Sequence, residues 1–510
     1  MNNWTRKEFL KASAIGGGTA LLAGRGYAQA PAAARKGSAN GDVRVGVVGL
    51  NQQGNGHMQN YVPGSKSKVD GAILVAVCDA DSAVLAKRKG EAEMGGNKVT
   101  GYTDYRKMLE DKNIDAIVIA TPNHQHSLMS IWALQAGKDV YCEKPLSHNV
   151  WEGRQVVEAS KKYNKNIIFA GTQNRSSEDI AEAIQFVRSG KLGKIKWARG
   201  LCYKQRDAIG KTTGPQPVPA TVNYDLWTGP AELTPPRRNS PKYGTIHYDW
   251  HWFWNYGGGD ITNQGIHQMD VARWFLGEKG LPPSVMSFGG RFGYVDDAET
   301  PNTLVSVLNY AAAPLIFEVR GLPQKTGMRA MDAYRGTRVG VVVQCETGYV
   351  TISEQGTCNI FDNDNKRINQ LSKNTLGQHR PNFIKAVNAR KVTIGDVTEC
   401  HYSSALCHLG NVSYLVGADK SNAALAESIK SSEVTKETFG RMLEHLKAND
   451  VNTDTTKTVV GPLLKIDAKT ESFAGSEEFV KAANKSPLLK REGRGAFKIP
   501  VMQTGSVAVS

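Results

Sequence analysis

A lysine at the end of a short apolar run is the residue in this chain most suited to chemistry. Residues 140–142 predict a buried strand, and Glu143, Lys144 and Pro145 follow it. A partly buried lysine beside a positively charged ligand has a lowered pKa and can exchange a proton near neutral pH. A lysine at a strand end is more often simply solvated, so its role depends on what the neighbouring elements bind.

The elements around this lysine predict a parallel α/β sheet. Further strands share largely apolar runs that suit burial on both faces, and they are expected at Val43–Val48, Ala72–Cys78, 115–120 and 167–170. Helices are expected at Tyr105–Leu109 and 127–136, with Gly137 ending the second. Open α/β sheets bind ligands at the carboxyl ends of their strands, and Lys144 lies at such an end.

A glycine-rich turn follows the first strand. The run from Gly49 to Gly56 fits the dinucleotide-binding pattern G-x-G-x-x-G, except that Asn51 replaces the second glycine. Asparagine tolerates the left-handed conformation better than most residues, so the turn can form. We therefore predict that Gly49, Asn51, Gln52 and Gly54 bind a dinucleotide, although such a turn is often only a turn.

The second strand ends in Asp79. An acidic residue at this place accepts hydrogen bonds from the ribose hydroxyls of adenosine and repels a 2′-phosphate, which favours NAD over NADP. Lys87 and Arg88 downstream leave NADP open. The alternative for Asp79 is a helix cap.

Two motifs at a fixed interval are together specific enough to indicate a protein family. The run A-T-P-N-H-Q-H, from Ala120 to His126, is followed within about twenty residues by Glu143, Lys144 and Pro145. This pair resembles the Gfo/Idh/MocA family of NAD(P)-dependent oxidoreductases. The resemblance implies a Rossmann-type doubly wound parallel sheet, followed by an α+β domain with an open, mainly antiparallel sheet.

The resemblance also assigns roles to residues. It implies that Lys144 helps move the proton of a substrate hydroxyl while hydride leaves the same carbon for a nicotinamide, and that Arg175 faces the substrate. Cofactor contacts are implied for Thr121, Pro122, Asn123, His126, Glu143, Lys144, Gln173 and Asn174.

A histidine in the second half is the other candidate for proton chemistry. Asn263 and His267 lie about one helical turn apart and therefore share a face. The resemblance to the family implies that a histidine on this helix points at the reacting hydroxyl, and His267 matches it. Many family members have an aspartate four residues before this histidine. Asn263 can hold a hydroxyl but cannot accept its proton, so acid/base work falls to Lys144 and His267.

An aromatic segment from 224 to 254 suits stacking on a sugar face, and we expect Trp227 and Trp254 to bind substrate. Core packing is the alternative for each. His247, His251 and His267 raise the question of a metal site, but the sequence has no HExxH motif and no paired Cys/His spacing, so no metal is expected.

The composition limits the partners. The 63 Lys and Arg residues against 48 Asp and Glu residues give a formal charge of +15, without a long basic block. We expect no nucleic acid, while attraction to anionic surfaces or acidic sugars stays open. Seven cysteines show neither a disulfide framework nor a metal pattern.

Residues 1–34 resemble a twin-arginine export signal, with Lys7 in place of the second arginine. A membrane anchor or a disordered tail is the alternative, but the apolar run is shorter than the roughly 20 residues that span a bilayer, so no membrane partner is expected. Export in a folded state would suit a cofactor that is loaded in the cytoplasm and tightly retained.

The predicted organisation is an export signal (1–34), a linker (35–42), a dinucleotide domain (43–170), a substrate and oligomerisation domain (171–380), helices (381–420) and an extension wrapping the surface (421–510). The predicted function is hydride transfer between a sugar or glycoside hydroxyl and NAD(P). The alternatives are a redox-neutral NAD-dependent glycosidase, an oxidoreductase that couples two sugars, or a protein that only binds a dinucleotide or sugar. An open sheet favours a homo-oligomer.

Overall fold

The computed structural model describes residues 41–502, which are organised around two β-sheets. The predicted export signal at 1–34, most of the linker at 35–42, and residues 503–510 lie outside the described residues. Between residues 41 and 502, no helix combines the length and the hydrophobicity needed to cross a membrane.

The first sheet contains six parallel strands within the described residues. They are β1 Val43–Val48, β2 Ala72–Cys78, β3 Thr100–Tyr102, β4 Ala116–Ile119, β5 Asp139–Cys142 and β6 Ile168–Ala170. Their spatial order is β3-β2-β1-β4-β5-β6, so the strand order switches sides between β1 and β4. This is the predicted Rossmann arrangement, and ligands bind outside the strand ends at that switch.

Five helices are described in this domain. They are α1 Gln53–Gln59, α2 Ser82–Met94, α3 Tyr105–Leu109, α4 His126–Gln135 and α5 Val150–Lys162. Asp81 caps α2, its carboxylate accepting from Ala83 N at 3.0 Å. The helix cap is therefore Asp81 and not Asp79.

The second sheet is mixed and mostly antiparallel. Its strands are β7 Ile195–Tyr203, β8 Ser284–Gly290, β9 Thr303–Asn309, β10 Leu315–Arg320, β11 Val339–Cys345, β12 Gly348–Ser353, β13 Cys358–Asp362, β14 Arg367–Leu371, β15 Ala418–Lys420, β16 Thr458–Val460, β17 Leu464–Asp467 and β18 Ser472–Ala474. The order is β14-β13-β12-β11-β7-β10-β9-β8-β16-β15, with β17 beside β8 and β18 beside β17. Only β7 and β10 pair in parallel among these described strands.

The remaining α-helices of the described residues are α6 Glu178–Arg188, α7 Tyr224–Thr228, α8 Asp260–Asn263, α9 Gly265–Leu276, α10 His379–Ala389, α11 Val397–Leu415, α12 Asn422–Ser428, α13 Glu433–Ala448 and α14 Glu478–Asn484. Of these, α6, α9 and α11 bury one face of the second sheet. Met269 and Phe275 of α9 pack with Leu409 of α11 against Phe317 of β10. This packing fixes α9 on the sheet, and the first turn of α9 carries His267.

The opposite face of the second sheet is covered by the C-terminal part of the chain. Phe439 and Leu446 of α13 pack against Phe288 and Ile316 of the sheet. The prediction that 421–510 only wraps the surface is therefore corrected for its described residues. The buried positions of α13 recur every three or four residues, as expected for a helix that covers a core.

Candidate active site

A cleft with a volume of about 540 Å³ lies at the carboxyl ends of the parallel strands and faces the second domain. Most of the predicted site residues line it: Gly49, Asn51, Gln52, Asp79, Thr121, Pro122, Asn123, His126, Glu143, Lys144, Gln173, Trp227, Asn263 and His267. Gly54, Asn174, Arg175 and Trp254 are not part of this lining. Lys144 and His267, which are far apart in the sequence, thus share one cavity with the glycine-rich turn.

The glycine-rich turn is tight because two backbone approaches exclude side chains. Gly49 has φ +78°, and a Cβ placed there would lie 2.7 Å from Ala120 O. A Cβ on Gly54 would lie 1.6 Å from Gly49 O, so Gly54 serves the packing of α1 on the turn. The positive φ that the sequence suggested for Asn51 occurs instead at Gln52 (φ 41°), which corrects the sequence prediction.

Asn51 instead uses its side chain to reach the second domain. Its amide Nδ2 donates to His247 Nδ1 at 2.9 Å. Nδ1 therefore accepts, and the other ring nitrogen of His247 donates to Asp81 Oδ2 at 3.0 Å. This pair of bonds closes the segment that contains His247 over the glycine-rich turn.

Asp79 lies at the predicted place on the cleft wall. Its carboxylate accepts from Leu50 N at 2.8 Å and from Asp81 N at 2.9 Å. Burial raises the pKa of Asp79, and these two backbone hydrogen bonds oppose that rise. Arg88 pairs with Glu91 at 2.7 Å, outside the cleft lining.

Glu143 is held by a dense set of donors. Its Oε1 accepts from His57 Nε2 at 2.9 Å, from Gln173 Nε2 at 3.0 Å and from Gln53 Nε2 at 3.1 Å. Because Arg380 Nε donates to the other nitrogen of His57 at 3.3 Å, His57 carries its proton on Nε2. Burial alone would raise the pKa of Glu143, but the hydrogen bond from His57 and the nearby charges outweigh it and lower the pKa.

Lys144 points across the cleft to the second domain. Its Nζ donates to Asn263 O at 2.8 Å, and its backbone N donates to Glu143 Oε2 at 3.1 Å. Burial lowers the pKa of Lys144, the charge of Glu143 opposes this, and the charge of Lys204 adds to the lowering. A lowered pKa makes it easier for Lys144 to give up and regain its proton.

His267 presents a neutral imidazole to the same cavity. Burial, reinforced by the charge of Lys144, lowers the pKa of His267 to about 3. Its backbone N donates to Gln264 O at 3.2 Å, and its backbone O accepts from Asn174 Nδ2 at 3.5 Å. The ring itself makes no hydrogen bond to the described residues, so it can bind a ligand hydroxyl.

His126 connects the two sequence motifs. Its Nδ1 lies 2.6 Å from Pro145 O, and its Nε2 lies 2.8 Å from Thr121 O. The imidazole therefore fixes the turn that carries Lys144 relative to the loop after β4.

Arg175 does not face the substrate, which corrects the sequence prediction. Its guanidinium forms two 2.8 Å hydrogen bonds with the buried carboxylate of Asp270 and lies 4.7 Å from the ring centre of Trp274. A further contact of 3.4 Å joins it to Glu399. Since Asp270 is one turn beyond His267 on α9, Arg175 braces the helix instead of lining the cleft.

The two predicted tryptophans have different positions. Trp227 lines the cleft with 7% of its surface exposed, while its ring stacks on Tyr224 at 5.6 Å. Trp254 lines a second cavity of about 1100 Å³, which Trp227 also lines, but it is not part of the cleft lining, so the prediction that Trp254 binds the substrate of this cleft is corrected. Its ring centre lies 6.5 Å from that of Tyr414.

Several polar residues of the cleft wall, such as Arg206 and Tyr248, were not predicted from the sequence. Tyr248 has φ 61° and ψ −56°, and Asp249 N donates to His247 O at 2.8 Å, which makes a strained γ-turn. Arg206 holds Asp260 through two hydrogen bonds of 2.8 and 2.6 Å and also donates to Tyr248 OH at 3.1 Å. The histidine and aromatic run was visible in the sequence, but its γ-turn was not.

A metal centre is not formed by the three histidines considered from the sequence. His247 and His267 line the cleft together with His251, whose Nδ1 contacts Tyr248 O. Among residues 41–502, no group of three or more His, Cys, Asp or Glu side chains is placed to hold a metal ion.

Two family models match this chain. Residues 43–171 match an oxidoreductase family, NAD-binding Rossmann fold, and residues 180–296 match the C-terminal alpha/beta domain of the same oxidoreductase family. Residues 43–171 and 180–296 belong to the Gfo/Idh/MocA oxidoreductase family. Its NAD-binding Rossmann domain is the one that carries Gly49, Asp79 and Lys144.

Curated proteins are similar to parts of the chain. Inositol 2-dehydrogenase of Salmonella typhimurium is 25% identical over 184 residues, 36% of this chain and 52% of that protein. A glycosyl hydrolase family 109 protein of Shewanella woodyi is 31% identical over 158 residues, 30% of this chain and 32% of that protein. The chain thus spans about half, or less, of the length of these curated relatives.

A solved structure has the same fold. The WlbA dehydrogenase of Bordetella pertussis, in complex with NADH and UDP-GlcNAcA, has a TM-score of 0.52 and 19% sequence identity. The match covers 72% of this chain and 95% of that one.

Proposed function

We propose that this protein is an NAD(P)-dependent oxidoreductase that transfers hydride between a secondary hydroxyl of a sugar or glycoside and a tightly bound nicotinamide cofactor. The observation that carries the proposal is the shared cleft of Gly49, Asp79, Lys144 and His267. Gly49 and Asp79 suit the binding of a dinucleotide, and Lys144 and His267 suit the binding of a hydroxyl group. Asp79 favours NAD over NADP, because its carboxylate would repel a 2′-phosphate.

The residues present fit a dinucleotide. At Gly49 a Cβ would clash with the backbone of Ala120 and Thr121, so the turn packs directly on the loop after β4. The backbone N–H groups at the start of α1 would then hold the pyrophosphate. Gln173 and Glu143 line the same cleft and would hold the nicotinamide ribose. A bound nicotinamide supplies the hydride acceptor.

The chain itself supplies the proton chemistry. Neutral Lys144 takes the proton of the substrate hydroxyl, and neutral His267 holds the same oxygen through its free ring nitrogen. Glu143 fixes the backbone of Lys144, and Asn263 O holds the amine until substrate arrives. Asn263 cannot accept a proton, so these two residues carry the acid/base work.

Contacts between the domains support tight retention of the cofactor. Besides the bonds of His247, Ser82 N donates to Thr221 O at 2.8 Å and Asn223 N donates to Ala80 O at 2.9 Å. These backbone bonds fasten the second domain beside Asp79. Opening the cleft would break them, so we expect slow release of the dinucleotide.

Export and self-association belong to the same proposal. A retained cofactor agrees with folding before export through the twin-arginine-type segment, which is testable by fractionating cells that express the full chain. Self-association is testable by light scattering, but α13 covers the sheet face on which an interface was expected.

A redox-neutral glycosidase is the second candidate. The glycosyl hydrolase family 109 relative from Shewanella woodyi favours it, at 31% identity over part of the chain. In that cycle the sugar hydroxyl is oxidised transiently, which eases elimination of the aglycone, and the cofactor is then restored. A coupled oxidation of one sugar and reduction of another uses the same groups.

One experiment separates these activities. The purified protein is examined for nicotinamide absorbance and then offered a panel of free sugars and aryl glycosides. Cofactor reduction by a free sugar is the expected result. Release of an aglycone without net reduction would favour the glycosidase, and binding without either change would contradict both enzymes.

A further inference from the structure

The cleft wall beside Lys144 carries a second lysine that the proposed reaction does not use. Lys204 follows β7, and its Nζ donates to Gln264 Oε1 at 3.3 Å. Gln264 is next to Asn263, whose carbonyl accepts from Lys144. The two ammonium groups therefore lie on the same wall, and the charge of one affects the other.

The other charged groups near this wall are already paired. Arg206 holds both oxygens of Asp260, and Glu143 accepts several hydrogen bonds of its own. The carboxylate closest to Lys204 among the described ion pairs is Glu354, at 3.6 Å. The side chains of this pair are 40% and 44% exposed, and an exposed pair contributes little. Lys204 is thus available to a ligand.

The charge balance of the cleft favours an anion at this position. Lys144 and Lys204 are two amines on one wall, and an oxidised nicotinamide adds positive charge to the same end of the cleft. A carboxylate on Lys204 would form a charge-assisted hydrogen bond, about twice as strong as a neutral one. It would also offset the positive charge of Lys204 and of the oxidised nicotinamide, and that of Lys144 once it has taken the proton.

We propose that the substrate is an acidic sugar, a uronate or an aldonate, whose carboxylate binds Lys204 while its reacting hydroxyl lies at Lys144 and His267. This inference rests on the proposed function and adds the substrate class to it. Lys204 is a specificity-determining residue in this scheme, since it binds a group that a neutral sugar lacks.

The test compares matched sugars on the holoenzyme at one pH. D-glucuronate is compared with D-glucose, and D-galacturonate with D-galactose, by kcat/KM from cofactor reduction. We expect the acid to be preferred at least tenfold. Lys204→Gln should lower the ratio of acid to neutral kcat/KM at least tenfold, mainly through the KM for the acid, and Lys204→Arg should restore part of it. The ratio cancels any effect of Lys204 on Lys144.

Two further variants serve as controls. Glu354→Gln removes the competing carboxylate and should raise the ratio. Lys373→Gln removes the same charge outside the cleft, where Lys373 pairs with Glu182 at 2.9 Å, and should leave the ratio unchanged. An unchanged ratio in Lys204→Gln, or equal turnover of acid and neutral sugars, would overturn the inference and leave the oxidoreductase standing. If no sugar reduced the cofactor and no aryl glycoside released its aglycone, both the proposed function and this inference would be contradicted.

Discussion

Lys144 and His267 have lowered pKa values for the same reason, but only the imidazole has a pKa far below neutral pH. Burial lowers the pKa of both, and it lowers that of His267 to about 3. The imidazole is therefore neutral between about pH 5 and 9 and does not titrate there. Lys144 loses its proton below the ordinary range of lysine, so its ionisation should govern the pH dependence of hydroxyl oxidation.

We expect kcat/KM for oxidation to rise with pH through one ionisation, because Lys144 must be neutral to take the hydroxyl proton. Lys204→Gln removes a charge that lowers this pKa, so the rise should move to higher pH. His267→Asn should lower kcat/KM about 10²-fold without changing the pH at which kcat/KM rises. A rise centred near 6.5 that vanishes in His267→Asn would assign the ionisation to the imidazole instead.

Asp79 should set the choice between NAD and NADP. Asp79→Asn removes the negative charge and keeps one side-chain oxygen, which can accept from only one of the backbone N–H groups of Leu50 and Asp81, because these donate to different carboxylate oxygens. We expect the preference for NAD, measured as a ratio of dissociation constants, to fall about tenfold. An unchanged ratio would mean that other residues of the cleft exclude the 2′-phosphate.

The turn before α1 is the element that makes room for the dinucleotide. Gly54→Ala would place a methyl group 1.6 Å from Gly49 O, so cofactor retention should be lost. Gly56→Ala is the matched control, because a Cβ there meets no atom within 4 Å, and it should retain the cofactor. Equal retention in the two variants, measured by absorbance after gel filtration, would contradict the packing role of Gly54.

The position of α9 should depend on Arg175. Arg175→Met leaves the buried carboxylate of Asp270 without its main partner, and we expect a loss of about 3 kcal/mol in the free energy of unfolding. The double variant Arg175→Met with Asp270→Leu should recover part of this loss. A raised KM with unchanged stability in urea would instead support the original prediction of a substrate contact.

Elements that follow from local patterns were predictable, and contacts between distant elements were not. The strands Val43–Val48 and Ala72–Cys78 and the helix Tyr105–Leu109 have the predicted bounds, since their apolar spacing is local. Arg175 was misplaced because its partner Asp270 lies 95 residues away. Asn51 was given a backbone role because nothing nearby in the sequence indicates His247.

At the scale of the whole molecule, the C-terminal segment joins both domains. Phe497 and Met502 pack in the core of the Rossmann domain, while Phe439 covers the second sheet. The polar composition of this segment predicted that it wraps the surface. Average composition does not distinguish a helix that covers a core with one apolar face from a segment that lies loosely on the surface. The helical spacing of its buried residues distinguishes the two, but the sheet that this helix covers is formed by residues far away in the chain.

The central claim is that Lys144 acts on a substrate hydroxyl beside a bound nicotinamide. Single-turnover reduction of the retained cofactor by a sugar found active in the panel tests it most directly, with wild-type protein compared with Lys144→Met. We predict that the variant keeps the cofactor, and the cofactor's absorbance, but that reduction slows by at least about 10³. Reduction at the wild-type rate in a variant that retains its dinucleotide would contradict the account.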